Sequence, residues 1–372
     1  LNYLVLKKIL NIKYFYIGYI YLFFGILSVL FSKTFITIYE NGWDRTAICN
    51  WIDISNQSKS LSVYSVQNIN NLDKLVNSVP DFSFYYHPSL LFKFQSYCLL
   101  SPVSFNLISI FVLIFVIVFL NFKLENISFV NILVLIGISF NSIYWLINSG
   151  QFFHLEILTF SAGIFFVSKK NYRSAIIFLF LFGIQKIYFL ILPLYLSIKY
   201  FKLKGLYSFI ALATLINLMP IKIMKDYINF WFSPDGYLTS KREGFHSFFN
   251  ESFSVYNTSL MSLLKKVLNT IGLEINNIYL LIFYILFISL IYLIFSNYIK
   301  NVSNENKDYI NFLFFILTYP LLKPYVYIYF SIKFIFIINN FKNKLLEHFL
   351  SVFTAVGTFT WLILEPYFFT NI

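Results

Sequence analysis

The stretch INNIYLLIFYILFISLIYLIFSNYI, residues 275–299, contains no charged side chain. A helix needs about 20 mainly apolar residues to cross the hydrocarbon core of a bilayer, so this stretch predicts a membrane-spanning helix. Other charge-free stretches are residues 14–32, 94–122, 126–153, 205–221 and 349–364. Three more stretches contain ionisable residues: 154–167, 174–199 and 309–340. We expect the last two to form helical hairpins that turn near Lys186 and Lys323.

The composition agrees with a chain that lies mostly in lipid. Of 372 residues, 59% are hydrophobic and 12% are charged, and the mean hydropathy is +0.72. Soluble domains contain about 45–50% apolar and about 25% charged residues. We therefore predict an all-α polytopic membrane protein with about eleven transmembrane helices, re-entrant hairpins and interfacial helices, forming one domain over residues 1–372.

Positive charges set the orientation, because Lys and Arg in short loops stay on the cytoplasmic side. Lys7, Lys8 and Lys13 place the N-terminus inside. The same side is predicted for Lys123, Lys169, Lys170, Arg173, Lys199, Lys202, Lys204, Lys300, Lys307, Lys342 and Lys344. Two long segments, about 34–102 and 222–274, then lie outside, as do tight turns near Asn148, Lys186 and Lys323. The localisation that we expect is a prokaryotic inner membrane with the site facing outward.

The net charge of +12 is explained by this topology and by attraction to anionic lipid, so nucleic acid is not an expected partner. The two cysteines, Cys49 and Cys98, are too few for a cysteine-based metal cluster. Whether they form a disulfide stays open at this stage.

Asp44 is the candidate catalytic base. A carboxylate at a membrane surface can take a proton from an acceptor hydroxyl when burial keeps its pKa near the working pH. Asp44 comes soon after the first spanning stretch, between Trp43 and Arg45. The alternative is a solvated loop aspartate paired with Arg45.

Ionisable groups at membrane depth are costly and often mark a function. Four lie near the predicted outer face: His154, Glu156, Lys186 and Lys323. The two lysines could neutralise the phosphate of a leaving group. The alternatives are snorkelling lysines and a mutual pair of His154 with Glu156.

Two further groups have both a binding and a structural interpretation. Tyr85 and His87 end the first outer segment, where they could bind a substrate or anchor the chain at the interface. Lys241, Arg242 and His246 could bind an anionic head group or could simply be solvated. The sequence contains no metal triad, phosphate-binding Gly-rich loop or nucleophile elbow, so no cofactor or metal is expected.

Several short motifs resemble, in their order, those of glycosyltransferase family 87 in the GT-C superfamily, the polyprenyl-phosphate-mannose-dependent alpha-1,2-mannosyltransferase-like proteins. The family has an Asp after the first helix and a Tyr some twenty residues later, as Asp44 and Tyr64 stand here. The other similar motifs are Phe84-Tyr85-Tyr86-His87-Pro88, Asn148-Ser149-Gly150-Gln151, Gln185-Lys186 without the family's proline, and Tyr256-Asn257-Thr258-Ser259-Leu260 before Lys265 and Lys266.

The chain departs from the family near its end. Many members have Ser-Pro and one or two His residues there, whereas this chain has Thr318-Tyr319-Pro320 and Lys323-Pro324-Tyr325.

The resemblance implies an inverting hexosyltransferase with a polyprenyl-phosphate sugar as donor and a glycolipid or glycan as acceptor. The sugar would be a hexose, with mannose expected first, or a pentose. Asp44 would be the base, and no metal would be needed. The implied substrate-binding residues are Arg45, Tyr85, His87, Gln151, His154, Lys186, Asn257, Lys323 and Tyr325. A polytopic transporter or a flippase for lipid-linked sugars is the alternative, although no internal repeat is evident.

Overall fold

The computed structural model describes residues 42–57, 63–66, 86–125, 146–147, 149–217, 221–232, 259–273, 277–301, 304–319, 326 and 329. These residues are mostly helical and include no β-strand, which confirms the all-α prediction. The first and last predicted spans, 14–32 and 349–364, lie outside the described residues, as does the predicted turn at Lys323. The prediction of about eleven spans therefore stays a prediction.

The described part of the chain contains the following α-helices. In chain order they are α1 Trp43–Gln57, α2 Val63–Val66, α3 Leu91–Cys98, α4 Pro102–Glu125, α5 His154–Ser168, α6 Tyr172–Gln185, α7 Ile191–Ile216, α8 Ile221–Phe232, α9 Leu260–Thr270, α10 Asn277–Tyr298 and α11 Asn304–Leu317. Short 3-10 turns cover Pro88–Leu90, Ile187–Leu190 and Ile299–Asn301.

The chain divides into two compact units. The site unit comprises Trp43–Ser101 and Ala162–Lys323, and the second unit includes Pro102–Ser161 and the region from Pro324 onward. The start of α4 at Pro102 agrees with the predicted end of the first outer segment.

The predicted cytoplasmic lysine clusters coincide with the end of α5, at residues 169–170, and with a bend inside α7, at Lys202. Lys170 has a φ of 58°, and Asn171 then caps α6 by accepting a hydrogen bond from the Ser174 amide at 3.3 Å. Within α7, Lys202 has a φ of 53°, and a Cβ on Gly205 would lie 2.1 Å from the Ser197 carbonyl oxygen. Residues eight apart in a straight helix are about 12 Å apart, so α7 bends sharply at Lys202.

The hairpin predicted at Lys186 is present. Helix α6 ends at Gln185, Lys186 adopts an extended conformation, and α7 begins at Ile191. A Cβ on Gly183 would lie 2.8 Å from the Leu190 amide nitrogen, so only glycine allows this close approach without a shift of the backbone.

One helix in the described part of the chain, Tyr279–Asn297, is long and apolar enough to cross a membrane. The helices Pro88–Cys98 and Pro102–Val116 are separated by a short break. They are long and apolar enough to cross a membrane only if the two count as one span. Helices α5 and α6 are apolar, but they contain 15 and 14 residues, which is less than a straight span needs.

A buried ion pair joins α7 to α11. Asp308 is fully buried and accepts a hydrogen bond from the Lys199 ammonium at 2.5 Å. The Tyr195 and Tyr200 hydroxyls also donate to this carboxylate, at 3.2 and 2.5 Å. Three donors on one face of α7 thus hold a carboxylate whose removal from water would otherwise be costly. The sequence alone did not single out Asp308.

Candidate functional site

Asp44 lies in the first turn of α1, and its side chain is 7% exposed. A carboxylate in the first turn of a helix is stabilised by the aligned peptide dipoles and the free amide groups there. Asp44 is therefore a buried helical residue and not a solvated loop aspartate. Asp44 is the second of the fifteen residues that form α1.

Arg45 binds the carboxyl end of a neighbouring helix. One of its terminal nitrogens donates to the carbonyl oxygens of Tyr97, at 3.4 Å, and of Leu100. Cations are favourable at this end of a helix, where carbonyl groups lack partners within the helix. Burial lowers the pKa of the guanidinium, but an arginine starts so high that it remains charged. Arg45 therefore fixes α1 against α3.

Cys49 and Cys98 form a disulfide, with their Cα atoms 5.6 Å apart. The bond joins the middle of α1 to the last residue of α3. The question that the sequence left open is answered by this pairing. Together with Arg45, the disulfide holds the helix that carries Asp44 at a fixed place on α3.

His87 is held from both sides of its ring. The Ser89 amide donates to Nδ1 at 3.3 Å, so Nδ1 is unprotonated and Nε2 donates to the Asn217 Oδ1 at 3.1 Å. The Asn217 amide nitrogen donates to the Ala213 carbonyl, which fixes its orientation. Burial lowers the pKa of His87, against a smaller opposite effect of Asn217. The ring is thus a neutral connection between two segments near neutral pH.

This arrangement predicts a pH-dependent stability. Because the pKa of His87 in the folded protein lies below the unfolded value of about 6.5, the unfolded chain binds more protons, and stability falls as the pH drops below that value. We expect the unfolding midpoint of the wild type to fall on acidification from about pH 7 to about pH 5 more steeply than that of His87→Gln. If the unfolding midpoints of the wild type and of His87→Gln fell equally steeply with pH in a thermal-shift series, this role of His87 would be contradicted.

The two predicted outer segments meet in the site unit. Tyr64 of α2 donates to the Tyr86 carbonyl and packs edge-on against Tyr227 of α8, with ring centroids 5.1 Å apart. The His87 ring also lies edge-on to Tyr227, at 5.4 Å. Burial raises the pKa of Tyr64, so its hydroxyl remains a donor. The second segment also contains α9, which Ser259 caps by accepting a hydrogen bond from the Ser262 amide at 3.1 Å.

Lys186 is the cation that the structure places at the end of α6. Its side chain is 6% exposed, and Gln185 before it is 3% exposed. The Lys93 ammonium on α3 donates to Gln185 Oε1 at 2.7 Å. Sequence reasoning missed Lys93, which looked like the end of an apolar stretch. No local pattern could have indicated its contact with a residue 92 positions away.

Gln151 and His154 belong to the second unit. Gly150 has a φ of 66°, its amide donates to the Ile147 carbonyl, and the Gln151 amide donates to the Leu146 carbonyl. These two bonds define a glycine-terminated helix end. The motif Ser149-Gly150-Gln151 therefore has a structural role, in addition to any binding role of the buried Gln151 side chain.

His154 and Glu156 have separate partners in the second unit. The Ser109 hydroxyl donates to the Phe105 carbonyl at 2.8 Å, so its oxygen accepts the hydrogen bond from His154 Nε2. Glu156 accepts a hydrogen bond from the Tyr329 hydroxyl at 3.1 Å. Residues two apart on a helix do not face each other, so these contacts do not support the mutual pair.

The site unit thus contains the predicted residues Asp44, Arg45, His87 and Lys186, whereas Gln151 and His154 lie in the second unit. The remaining predicted residues lie outside the described part of the chain: Tyr85, Asn257, Lys323 and Tyr325. Within the described part, no group of three His, Cys, Asp or Glu residues could hold a metal ion. Metal independence of the reaction stays a prediction. Comparisons of the chain with protein-family models, curated proteins and solved structures found no match.

Proposed function

We propose that the chain is a multi-pass membrane glycosyltransferase of the GT-C type. It transfers a hexose, with mannose expected first, or a pentose from a polyprenyl-phosphate donor. The acceptor is a hydroxyl of a lipid-linked or glycan-linked sugar on the non-cytoplasmic face. The observation that carries the proposal is the buried Asp44 in a unit that also buries the cations Lys93 and Lys186.

Buried charges of both signs are what this reaction needs. A base must take the proton of the acceptor, and cations must stabilise the charge that develops on the leaving phosphate. Among the described buried residues of the site unit, Arg45, Lys93 and Lys186 are cations, and Asp44 and Asp308 are carboxylates. Asp308 binds Lys199. Among its described residues, the site unit therefore buries charges of both signs, as the proposed reaction requires.

The reaction is a single displacement with inversion. Asp44 accepts the proton of the acceptor hydroxyl as its oxygen forms a bond to C1 of the donor sugar. The bond between C1 and the phosphate oxygen breaks, and its electron pair leaves with the polyprenyl phosphate. Lys186 binds the phosphate as its charge increases, and Lys323 is the second cation that we propose for this role.

The disulfide supports the proposed face. Disulfides persist in oxidising compartments and are rare in the cytosol. Cys49 and Cys98 both belong to the predicted outer segment of residues 34–102. A site built on α1 and α3 would accordingly face away from the cytoplasm.

The surface of α10 supports a membrane environment. Leu286, Leu290 and Leu293 are 65, 57 and 62% exposed, on a helix with no charged side chain. A long exposed apolar face is unfavourable in water and is suited to lipid or to a polyprenyl chain.

The proposal is tested with purified protein in lipid nanodiscs, a synthetic polyprenyl-phosphate mannose and an alkyl mannoside acceptor. We expect a disaccharide product with inverted configuration at C1, formed at the same rate in the presence of EDTA. The absence of product with mannose, glucose and arabinose donors, under conditions in which the protein is folded, would contradict the proposal.

A further inference from the structure

Lys93 is buried on α3 with a neutral hydrogen-bond partner from another helix. Its side chain is 8% exposed, and its ammonium donates to Gln185 Oε1 at 2.7 Å. The same ammonium lies 5.1 Å from the centroid of the Phe94 ring. Hydrogen bonds to a charged group are stronger than those between neutral groups, especially away from water. The contact between Lys93 and Gln185 is therefore a firm connection between α3 and α6.

Gln185 is oriented for this contact. Its amide nitrogen donates to the Leu181 carbonyl at 3.2 Å, one turn back along α6, which leaves Oε1 facing Lys93. The chain leaves the helix immediately afterwards. Lys186 is extended, with φ of −144° and ψ of 99°, and its carbonyl accepts a hydrogen bond from the Phe189 amide at 2.8 Å. The direction of the Lys186 side chain thus depends on the turn that Gln185 begins.

The other end of the connection is the helix of the candidate base. Helix α3 is bound to α1 by the disulfide between Cys49 and Cys98 and by the contacts of Arg45 with Tyr97 and Leu100. Lys93 lies on the same short helix. A continuous set of contacts therefore runs from α1, through α3 and Lys93, to the turn of Lys186.

We propose that Lys93 is a positioning residue for the binding of a lipid phosphate. It acts through Gln185 and holds Lys186 at a fixed distance from the helix of Asp44. This inference rests on the proposed function and adds to it a residue that the family resemblance does not supply. The ligand is the phosphate group of a polyprenyl phosphate.

The test measures binding of a short-chain polyprenyl phosphate to protein in nanodiscs. We expect Lys93→Met and Gln185→Met each to raise the Kd about tenfold, because each removes one charge-assisted hydrogen bond. The double variant should bind polyprenyl phosphate no more weakly than the weaker-binding single variant, since both substitutions remove the same contact. Gln185→Glu keeps the oxygen that faces Lys93 and should retain the affinity within about threefold. Lys225→Met, which removes an exposed lysine of α8, is the control for net charge.

The outcomes separate this inference from the proposed function. If the wild type binds and Lys186→Met does not, but Lys93→Met binds as well as the wild type, the role of Lys93 is overturned and the proposed function stands. A double variant that adds the two losses would also overturn it, because Lys93 would then act independently of Gln185. If Lys93→Met melted at a lower temperature but bound polyprenyl phosphate with an unchanged Kd, Lys93 would only stabilise the fold, and its role as a positioning residue would be overturned. If the wild type binds no polyprenyl phosphate, the proposed function itself fails.

Discussion

Replacement of Asp44 by Asn is expected to lower the rate of sugar transfer about a thousandfold, because general base catalysis contributes about a hundred- to ten-thousandfold. Asn has nearly the same shape and can occupy the same place in the first turn of α1. It cannot accept the proton of the acceptor hydroxyl. The loss should appear in kcat, with little change in the Kd for polyprenyl phosphate, since binding of the phosphate depends on the cations.

The matched control is Asp53→Asn. Asp53 lies on the same helix but is exposed, so its substitution removes the same charge without touching the buried part of the site unit. Transfer by this variant should equal that of the wild type. If Asp44→Asn retained full activity, Asp44 would not be the base, and another acid in the outer segments would have to be found.

Removal of the disulfide is expected to have the largest effect on stability. Cys49 and Cys98 are separated by 49 positions, and closing a loop of that length restricts the unfolded chain by about 4 kcal/mol in the chain-entropy description. We expect the double variant Cys49→Ser, Cys98→Ser to unfold at a clearly lower temperature than the wild type. Transfer should be lost as α1 separates from α3.

Reduction of the wild type provides the control. A reductant that opens the bond should lower the unfolding temperature of the wild type to that of the double variant, and should leave the double variant unchanged. Equal unfolding temperatures for the oxidised wild type and the double variant would contradict a stabilising role of the bond.

Local features of the fold could be predicted because they depend on neighbouring residues. The lysine clusters at residues 169–170 and 199–204 coincide with sharp turns, and Lys186 with a hairpin. Charged side chains are excluded from long apolar helices in lipid, so a pattern along the chain marks where such helices end.

Contacts between distant residues could not be predicted in the same way. The disulfide, the bond from Lys93 to Gln185 and the cluster around Asp308 each join residues at least 49 positions apart. One sequence contains no signal for such pairs, because any buried lysine is compatible with many partners. In the sequence, Lys93 stands just before a charge-free stretch, whereas the structure shows that its ammonium binds Gln185, the residue before Lys186.

The motif at residues 148–151 shows how a binding pattern and a structural pattern can coincide. Gly150 adopts a positive φ that ends a helix, as glycine does at helix ends in general. Resemblance to a family motif at such a position is thus weak support for function by itself, because the glycine already has a structural role there.

The central claim is that the chain transfers a sugar outside the cytoplasm and does not carry lipid-linked sugars across the membrane. Sealed proteoliposomes with a known orientation of the protein test it, with polyprenyl-phosphate mannose in the bilayer and a water-soluble acceptor on one side only. We predict labelled product only when the acceptor is on the side of the disulfide between Cys49 and Cys98, and none with Asp44→Asn. Movement of the labelled lipid between leaflets without any product on either side would contradict the claim and identify a flippase.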